Sequence, residues 1–422
     1  MSNIGSILLA YSGGLDTSVA LKWLQDRYNC DVYCLIVDVG QQEDFSEIAQ
    51  RAKATGAKDV IIEDIREKFV HDFIFPMLQA HPSYEAQYLL GSAISRPAIA
   101  EIQLDVAKRL SVDALAHGAT GKGNDQFRFE LSYAALGSDL QVIAPWRMWP
   151  FRSRSDLITY ARARDVPLAA STSVHKPLSM DRNIIHTSYE GELLENPASR
   201  APSTAFDRVR DIEFTPNAPE EITVTFKNGM PTALNGKKLS PSQLLEKLND
   251  LGARHGVGRV DHVESRFLGM KSRNVYETPG LTILYGAHRA ADSMCLDKEV
   301  LFLKETLMPT YAKYIYNGLW FSPERIMLQA AYDSMSRYVT ADITMSVFKG
   351  NVGVVKRHVD NSLYDVKLSS LEEDLDFVHS DSSGFIRLSS QRLRKVKKME
   401  IELLNKNQGV TKSVRSALVT SK

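Results

Sequence analysis

Residues 12–18, Ser-Gly-Gly-Leu-Asp-Thr-Ser, put two adjacent glycines, three hydroxyls and a carboxylate into seven positions. They follow the apolar run Ile7–Ala10 and lead into Val19–Leu24, an order that reads strand, glycine turn, helix. Such a turn leaves backbone N–H groups unpaired at a helix N-terminus, where the helix dipole also favours an anion. Adjacent glycines tolerate positive φ and let the backbone come close to phosphate oxygens. The chemistry implied is a phosphate cradle, although a plain turn with serines capping the helix uses the same residue types. A second concentration of polar groups lies at His117–Asp125, where Gly118, Gly121 and Gly123 are interleaved with Thr120, Lys122, Asn124 and Asp125. Backbone amides in such a loop suit carboxylates or phosphates, Asn124 can donate and accept at once, and ionised Asp125 suits an amine.

Both loops need a scaffold that delivers them to one place. Strand signals occur at Ile7–Ala10, Val32–Val37, Val60–Glu63, Ala114–Ala116 and Val142–Ala144. Between them, helical periodicity predicts helices at Val19–Leu24, Phe45–Ala54, Phe69–Leu78 and Ile99–Leu110, with Asp44 and Asp64 as helix starts. Apolar strands alternating with helices predict an α/β fold, a parallel sheet with helices on both faces. In such sheets ligands bind beyond the carboxyl ends of the strands, and both loops fall at such ends. From about residue 165 the texture becomes α+β. Ile222–Lys227 runs into the turn pair Asn228-Gly229, Thr344–Phe348 and Val352–Arg357 flank a glycine turn, and helices are expected near 242–251, 292–305 and 323–337. Residues 389–406 read as a helix that is basic at its start, with a partial apolar stripe. The expected division is a nucleotide-binding domain over 1–168, an α+β domain over 169–375 and a C-terminal helical arm over 376–422.

Bulk properties narrow the function classes. The 422 residues carry 51 basic and 51 acidic side chains, so no global field draws nucleic acid or a membrane surface. Three cysteines (Cys30, Cys34, Cys295) form neither a disulfide framework nor a zinc pattern. Neither a secretory signal nor a run long enough to span a bilayer stands out, and the expected location is cytoplasmic.

The 12–18 stretch lacks the lysine of the P-loop and the spacing of the dinucleotide fingerprint. It resembles the PP-loop of ATP pyrophosphatases, which cleave ATP between the α and β phosphates. The resemblance becomes specific when four further segments are read in order. Ala10–Ser18, His117–Glu130, Ala144-Pro145-Trp146-Arg147, and Gly269–Arg273 with Tyr276-Glu277-Thr278-Pro279 look like argininosuccinate synthases, and the match runs from about residue 5 to beyond 390. The resemblance implies an adenine nucleotide alpha hydrolase-like domain joined to a synthetase domain. It implies ATP-dependent condensation of citrulline with aspartate through citrullyl-AMP, with ATP and Mg²⁺ required and a homotetramer whose C-terminal arms cross between subunits.

The same resemblance distributes the roles. Ala10, Tyr11, Ser12, Gly13, Gly14, Leu15, Asp16, Thr17 and Ser18 are expected to hold the nucleotide's phosphates. Val37 lies by the adenine, and the loop with Gly118 and Lys122 closes over the nucleotide. Thr120, Asn124 and Asp125 receive aspartate. Tyr88, Ser92, Ala93, Asn124, Arg128, Ser179, Ser188, Glu264 and Tyr276 receive citrulline, with Glu264 as counter-charge to its ammonium. Asp16, Asp125 and Arg128 are the expected catalytic side chains, Asp16 through the metal. One departure stands out: the family's Gly-Thr-Ser is Gly91-Ser92-Ala93 here. A missing hydroxyl would weaken citrulline binding by about 0.5–1.5 kcal/mol unless Ser92 compensates. Rival readings are a ligase for another ureido and amino-acid pair, a base-adenylating RNA-modifying enzyme, and a nucleotide binder without turnover. The neutral charge and scattered cysteines argue against the RNA enzyme.

Overall fold

The computed structural model describes residues 4–169, 178–202, 205–370 and 378–419. Residues up to Leu363 form one compact unit, and a second unit begins at Tyr364.

The first unit opens with alternating strands and helices: β1 (Ser6–Ala10), α1 (Leu15–Tyr28), β2 (Asp31–Asp38), α2 (Phe45–Ala54) and β3 (Asp59–Asp64). A continuous helical stretch follows, made of α3 (Arg66–Lys68), a π-helical turn (Phe69–Ile74) and α4 (Phe75–Leu78). Then come α5 (Gly91–Leu110), β4 (Ala114–His117), α6 (Asp125–Ala135), β5 (Gln141–Ile143) and α7 (Arg154–Ala163). The five strands are parallel in the order β3-β2-β1-β4-β5. The order reverses between β1 and β4, and a sheet of this kind opens its binding crevice at that switch point. Side chains alternate across the sheet. Ile7 and Leu9 pack with α1, α2 and α7, whereas Leu8, Leu35 and Val37 pack with α5.

The remainder of the unit carries β6 (Ser179–Arg182), β7 (Thr187–Glu190), β8 (Glu220–Lys227), β9 (Met230–Leu234), β10 (Lys237–Lys238), α8 (Pro241–Arg254), β11 (Arg259–Ser265) and β12 (Lys271–Glu277). It ends with α9 (Pro279–Cys295), α10 (Lys298–Tyr316), α11 (Pro323–Ser336), β13 (Ala341–Phe348) and β14 (Asn351–His358). Two antiparallel sheets result, β10-β9-β8-β13-β14 and β11-β12-β7-β6. The apolar body under β1 and β2 continues through Phe69, Phe73 and Leu104 into Leu244, Leu281 and Ile343, so both kinds of sheet share one core. The second unit contains α12 (Asp381–Val419), which exposes Phe385, Leu393, Val396, Met399 and Leu403.

Several expectations hold, the strands to within a residue at each end, with β5 at Gln141–Ile143 in place of the expected Val142–Ala144. All five parallel strands are present, and α2 spans Phe45–Ala54 with Asp44 accepting from the Ser46 and Glu47 N–H groups. Asn228 and Gly229 both take positive φ, as a two-residue hairpin turn requires. Others shift. Asp64 ends β3 rather than starting a helix, although its carboxylate accepts from the Arg66 N–H. The helix expected at Ile99 begins at Gly91 and carries Pro97 inside it. Its first turn is held by the Tyr88 hydroxyl, which accepts from the N–H groups of Ser92 and Ala93. The single helix expected at 292–305 is two, because Asp297 caps a new start by accepting from the Glu299 N–H.

One buried side chain ties the switch point together. Gln103 of α5 donates to the carbonyls of Leu8 on β1 and Ala116 on β4, at 2.9 and 3.0 Å, and accepts from the Tyr133 hydroxyl at 2.5 Å. Gln103→Leu keeps the volume but strands these buried partners. We expect it to lower the unfolding free energy by about 2–3 kcal/mol, read by urea denaturation.

Candidate active site

The loop after β1 has the features of an anion cradle. Gly14 is the N-cap of α1, and no side chain caps the helix start. Gly13 adopts φ +73°, and a Cβ there would lie 2.6 Å from Ile48 Cγ2. The hydroxyls brace one another: Ser12 with Thr17 at 3.1 Å, and Tyr11 with Ser18 at 3.0 Å. Ser12 and Gly14 are exposed at the rim, and Ala10 and Leu15 bracket the loop at the ends of β1 and α1. Asp16 accepts from the Trp146 indole N–H at 3.1 Å, and burial raises the pKa of its carboxyl.

The loop after β4 lies directly against this cradle. A Cβ on Gly118 would sit 2.6 Å from Thr17 Cγ2, so only glycine permits the approach. Buried His117 fixes the loop's start, accepting the Ala119 N–H on Nδ1 and pairing through Nε2 with Glu130 at 3.0 Å. Gln126 donates to the carbonyls of Gly121 and Gly123, and Arg147 binds both Gln126 and Glu130. Thr120 and Lys122 are exposed on this loop. Val37, near the end of β2, is buried, and its carbonyl accepts from Gln41.

Across the crevice stands the sheet β11-β12-β7-β6. Its register carries one face of polar side chains, because alternate residues share a face and cross-strand partners align. Asp181 is opposite Ser188, Ser188 opposite Tyr276, Ser179 opposite Glu190, and Glu264 opposite Ser272. Of the predicted residues, Ser179 is exposed and Ser188 half-buried, its hydroxyl 3.4 Å from the Asp181 carbonyl. Tyr276 stacks on Tyr88 with centroids 4.4 Å apart. Glu264 is 4% exposed and accepts one tyrosine hydroxyl on each oxygen, from Tyr276 at 2.6 Å and Tyr316 at 2.7 Å. Asn124 joins the two walls, donating to the Tyr316 hydroxyl and accepting from the Phe267 N–H.

The electrostatic centre is a chain of charges only half read from the sequence. Asp125 is gripped on both oxygens, by Arg96 at 2.9 Å and Arg128 at 2.8 Å. Arg96 also reaches Asp181 at 2.8 Å, and Asp181 accepts from the Ser92 hydroxyl at 2.6 Å. His186 Nε2 lies 2.9 Å from the same hydroxyl. Burial would push the Asp125 carboxyl up, but the two guanidiniums outweigh it and hold the pKa down to about 2. Burial lowers His186 to about 4. Arg128 also donates to the Tyr316 carbonyl and lies over that ring. Ala93 exposes no surface, and the Ser92 hydroxyl beside it is already engaged. Arg96, Asp181, His186 and Tyr316 were not singled out in the sequence. The signal for Arg96 was its place one helical turn beyond Ser92.

A parallel sheet with an uncapped glycine loop at its switch point, faced by a cationic and carboxylate cluster, defines a nucleotide-binding enzyme that handles small anionic and cationic groups. Residues 6–167 match the arginosuccinate synthase N-terminal HUP domain, and residues 178–396 match the arginosuccinate synthase C-terminal domain. Argininosuccinate synthase 1 of Rhizobium johnstonii is 50% identical over 395 residues, 93% of this chain and 98% of that protein. The argininosuccinate synthases of Zymomonas mobilis and Nitrobacter winogradskyi are each 49% identical, covering 92% and 93% of this chain and 96% of each relative. The chain belongs to the argininosuccinate synthase family.

Asp125 gives the site a definite pH behaviour. Its depressed folded-state pKa makes its stabilising contribution complete above the unfolded value, near about 3.9, and lost only as pH falls toward about 2. Asp125→Asn leaves Arg96 and Arg128 facing one another. We expect a loss of about 3–5 kcal/mol that is constant between pH 5 and 8, followed by denaturation across that range.

Proposed function

We propose that this crevice performs ATP-dependent ligation of citrulline to aspartate, giving argininosuccinate, AMP and pyrophosphate, the condensation that feeds arginine biosynthesis. The observation that carries the reading is the contact between the two glycine loops at the β1–β4 switch point, facing the Arg96–Asp125–Arg128 cluster. A ureido group is a poor electrophile and must be activated. Its oxygen attacks the α-phosphorus, pyrophosphate departs, and the aspartate amine then displaces AMP. The 12–18 loop offers N–H donors to the phosphates at the uncapped start of α1, where the leaving charge develops. Holding the ureido oxygen close and aligned supplies much of the remaining acceleration.

Asp125 cannot serve as a general base with a pKa near 2, because it would hold a proton too weakly. Its role is to orient Arg96 and Arg128 and to offer negative charge to the aspartate ammonium, with Thr120 and Asn124 nearby on the same loop. Tyr88, Tyr276 and the clamped Glu264 form one wall of the citrulline slot, Arg128 its end, and Ser179 and Ser188 its outer edge. Val37 and Lys122 flank the nucleotide.

Mg²⁺ fits the cradle on its donor set. A Mg²⁺ ion that carries phosphate oxygens and waters needs only one or two protein carboxylates, and Asp16 supplies one. Among the described residues, the three-ligand cluster is His81, His288 and Asp292, buried elsewhere and already neutralised by Lys304. The ion would be held by Asp16 and the phosphates and would offset charge on the departing pyrophosphate.

No described helix is long and apolar enough to cross a membrane, in keeping with a cytoplasmic enzyme acting on small molecules. The exposed apolar residues of α12 support a homotetramer in which this helix packs on a neighbouring subunit.

The reaction is tested by pyrophosphate exchange into ATP. Exchange should require citrulline but not aspartate, and argininosuccinate should form only with both. Exchange driven by another ureido compound in preference to citrulline would favour the substrate-switched alternative. The assembly is tested separately: truncation at about residue 388 should give species smaller than the intact tetramer by light scattering, and an unchanged mass would refute the arm.

A further inference from the structure

The turn between β11 and β12 holds its own shape and yet exposes apolar side chains. Residues 265–271 read Ser-Arg-Phe-Leu-Gly-Met-Lys. The turn closes on itself: the Gly269 N–H donates to the Arg266 carbonyl and the Arg266 N–H to the Met270 carbonyl, both at 2.8 Å. Gly269 takes φ +88°, the left-handed position that ends a three-residue hairpin loop. The base is tied down as well, because the Tyr84 hydroxyl donates to the Ser265 carbonyl and the Ser265 N–H to Glu85. At the tip Phe267 is 43% exposed, too open to serve the core, and Leu268 and Met270 are exposed beside it.

This tip meets the second glycine loop and the start of α6 at three points. The Phe267 N–H donates to Asn124 Oδ1 at 3.0 Å. Arg266 donates to the Lys122 carbonyl through Nη1, while its Nη2 holds Glu190 and the Ser272 hydroxyl. The Phe267 ring meets half-buried Phe127 edge-on, with centroids 5.1 Å apart. The outer part of the loop is otherwise lightly held: a Cβ on Gly121 would meet nothing within 4 Å, and Lys122 is exposed. The contact to Asn124 also sets the direction of its amide. Tyr316 gives its hydroxyl proton to Glu264 and accepts from Asn124 Nδ2, which leaves Oδ1 for the Phe267 N–H. One N–H and one lone pair of Asn124 then remain for a ligand.

We propose that the β11–β12 turn is a clasp on the second glycine loop, and that Phe267 is its positioning residue, acting through Phe127 and Asn124 to hold the loop in its receptive shape. The kinetic part of the inference rests on the reading that this loop receives aspartate and closes over ATP. A glycine-rich segment loses much conformational freedom when it orders around a ligand. A clasp closed before the ligand arrives removes most of that loss from the binding step. Without it the receptive shape is a smaller fraction of the population. Apparent affinity then falls by that fraction, while the saturated enzyme works at its former rate. Each contact has its own part. The Phe267 N–H orients the Asn124 amide, Arg266 braces the loop at the Lys122 carbonyl, and the ring pair keeps turn and helix in register.

The test uses the full-length enzyme as wild type, Phe267→Ala, Phe127→Ala, the double variant and Phe267→Tyr. Limited trypsin digestion without substrates reports the clasp directly, because Lys122 sits on the clasped loop and Lys271 at the base of the hairpin. In Phe267→Ala, cleavage after Lys122 should quicken about 3- to 10-fold, the range for one aromatic pair, with cleavage after Lys271 unchanged. In the complete reaction, KM for ATP and aspartate should rise by a similar factor, with kcat held within about twofold. The double variant should behave like either single one, because both rings serve one contact. Phe267→Tyr keeps the ring and should restore wild-type values. Unaltered cleavage after Lys122 in Phe267→Ala, or equal quickening after Lys271, overturns the clasp whatever the crevice binds. Multiplying effects in the double variant, or a loss confined to kcat, overturns the positioning role of Phe267. If wild type forms no argininosuccinate from citrulline and aspartate, the assigned reaction falls, and the digestion still decides the clasp.

Discussion

The arrangement of the crevice turns on one guanidinium. Arg96 leaves α5 and takes a carboxylate with each end of its fork, Asp125 at the start of α6 and Asp181 on β6. One acid belongs to the parallel sheet's loop system and the other to an antiparallel strand. A lysine could neutralise either charge but could not present in-plane donors along two edges to both. The ion pair therefore sets the width of the crevice as well as its charge. The remaining contacts follow from that spacing: Ser92 and His186 join on the Asp181 side, and Arg128 completes the grip on Asp125.

Two different solutions to burying a carboxylate stand side by side. Asp125 is compensated by full positive charges, which keeps it anionic and fixed. Glu264 is compensated by neutral hydroxyls from Tyr276 and Tyr316, which satisfy its lone pairs without cancelling its charge. Burying an ion is costly unless its hydrogen-bonding capacity is filled, and both residues meet that condition. The consequence is a rigid site: the tyrosine rings that clamp Glu264 also stack on Tyr88 and Tyr84, so the polar clamp and the aromatic wall cannot move separately.

What could be read from the sequence was local. The glycine loops at 12–18 and 117–125 declare themselves because close approach and positive φ demand glycine within a few residues. The cap at Asp44 and the turn at Asn228-Gly229 are equally local. The start of α5 was hidden by Pro97 and by a cap supplied from Tyr88 outside the helix. The sheet β11-β12-β7-β6 was hidden for a different reason. Its crevice face is polar, so its strands lack the alternation of apolar residues that marks a half-buried strand. Asp181, Ser188 and Tyr276 come together only through the register of strands far apart in the chain, and Glu190 gains its place from the same register.

The shared apolar body has a consequence for how the chain is made. Phe69, Val70, Phe73 and Ile74 are buried, yet they lie before much of the core that encloses them. Phe73 stacks on Trp320 with centroids 5.3 Å apart and meets Phe321 edge-on, partners that follow it by about 250 residues. At a synthesis rate of about 5–20 residues per second, this aromatic segment waits for at least about ten seconds before its covering arrives. During that interval the growing chain presents an oily flank to its surroundings. The order of the elements along the chain thus makes the segment before α5 the place where chaperone binding or premature association would begin.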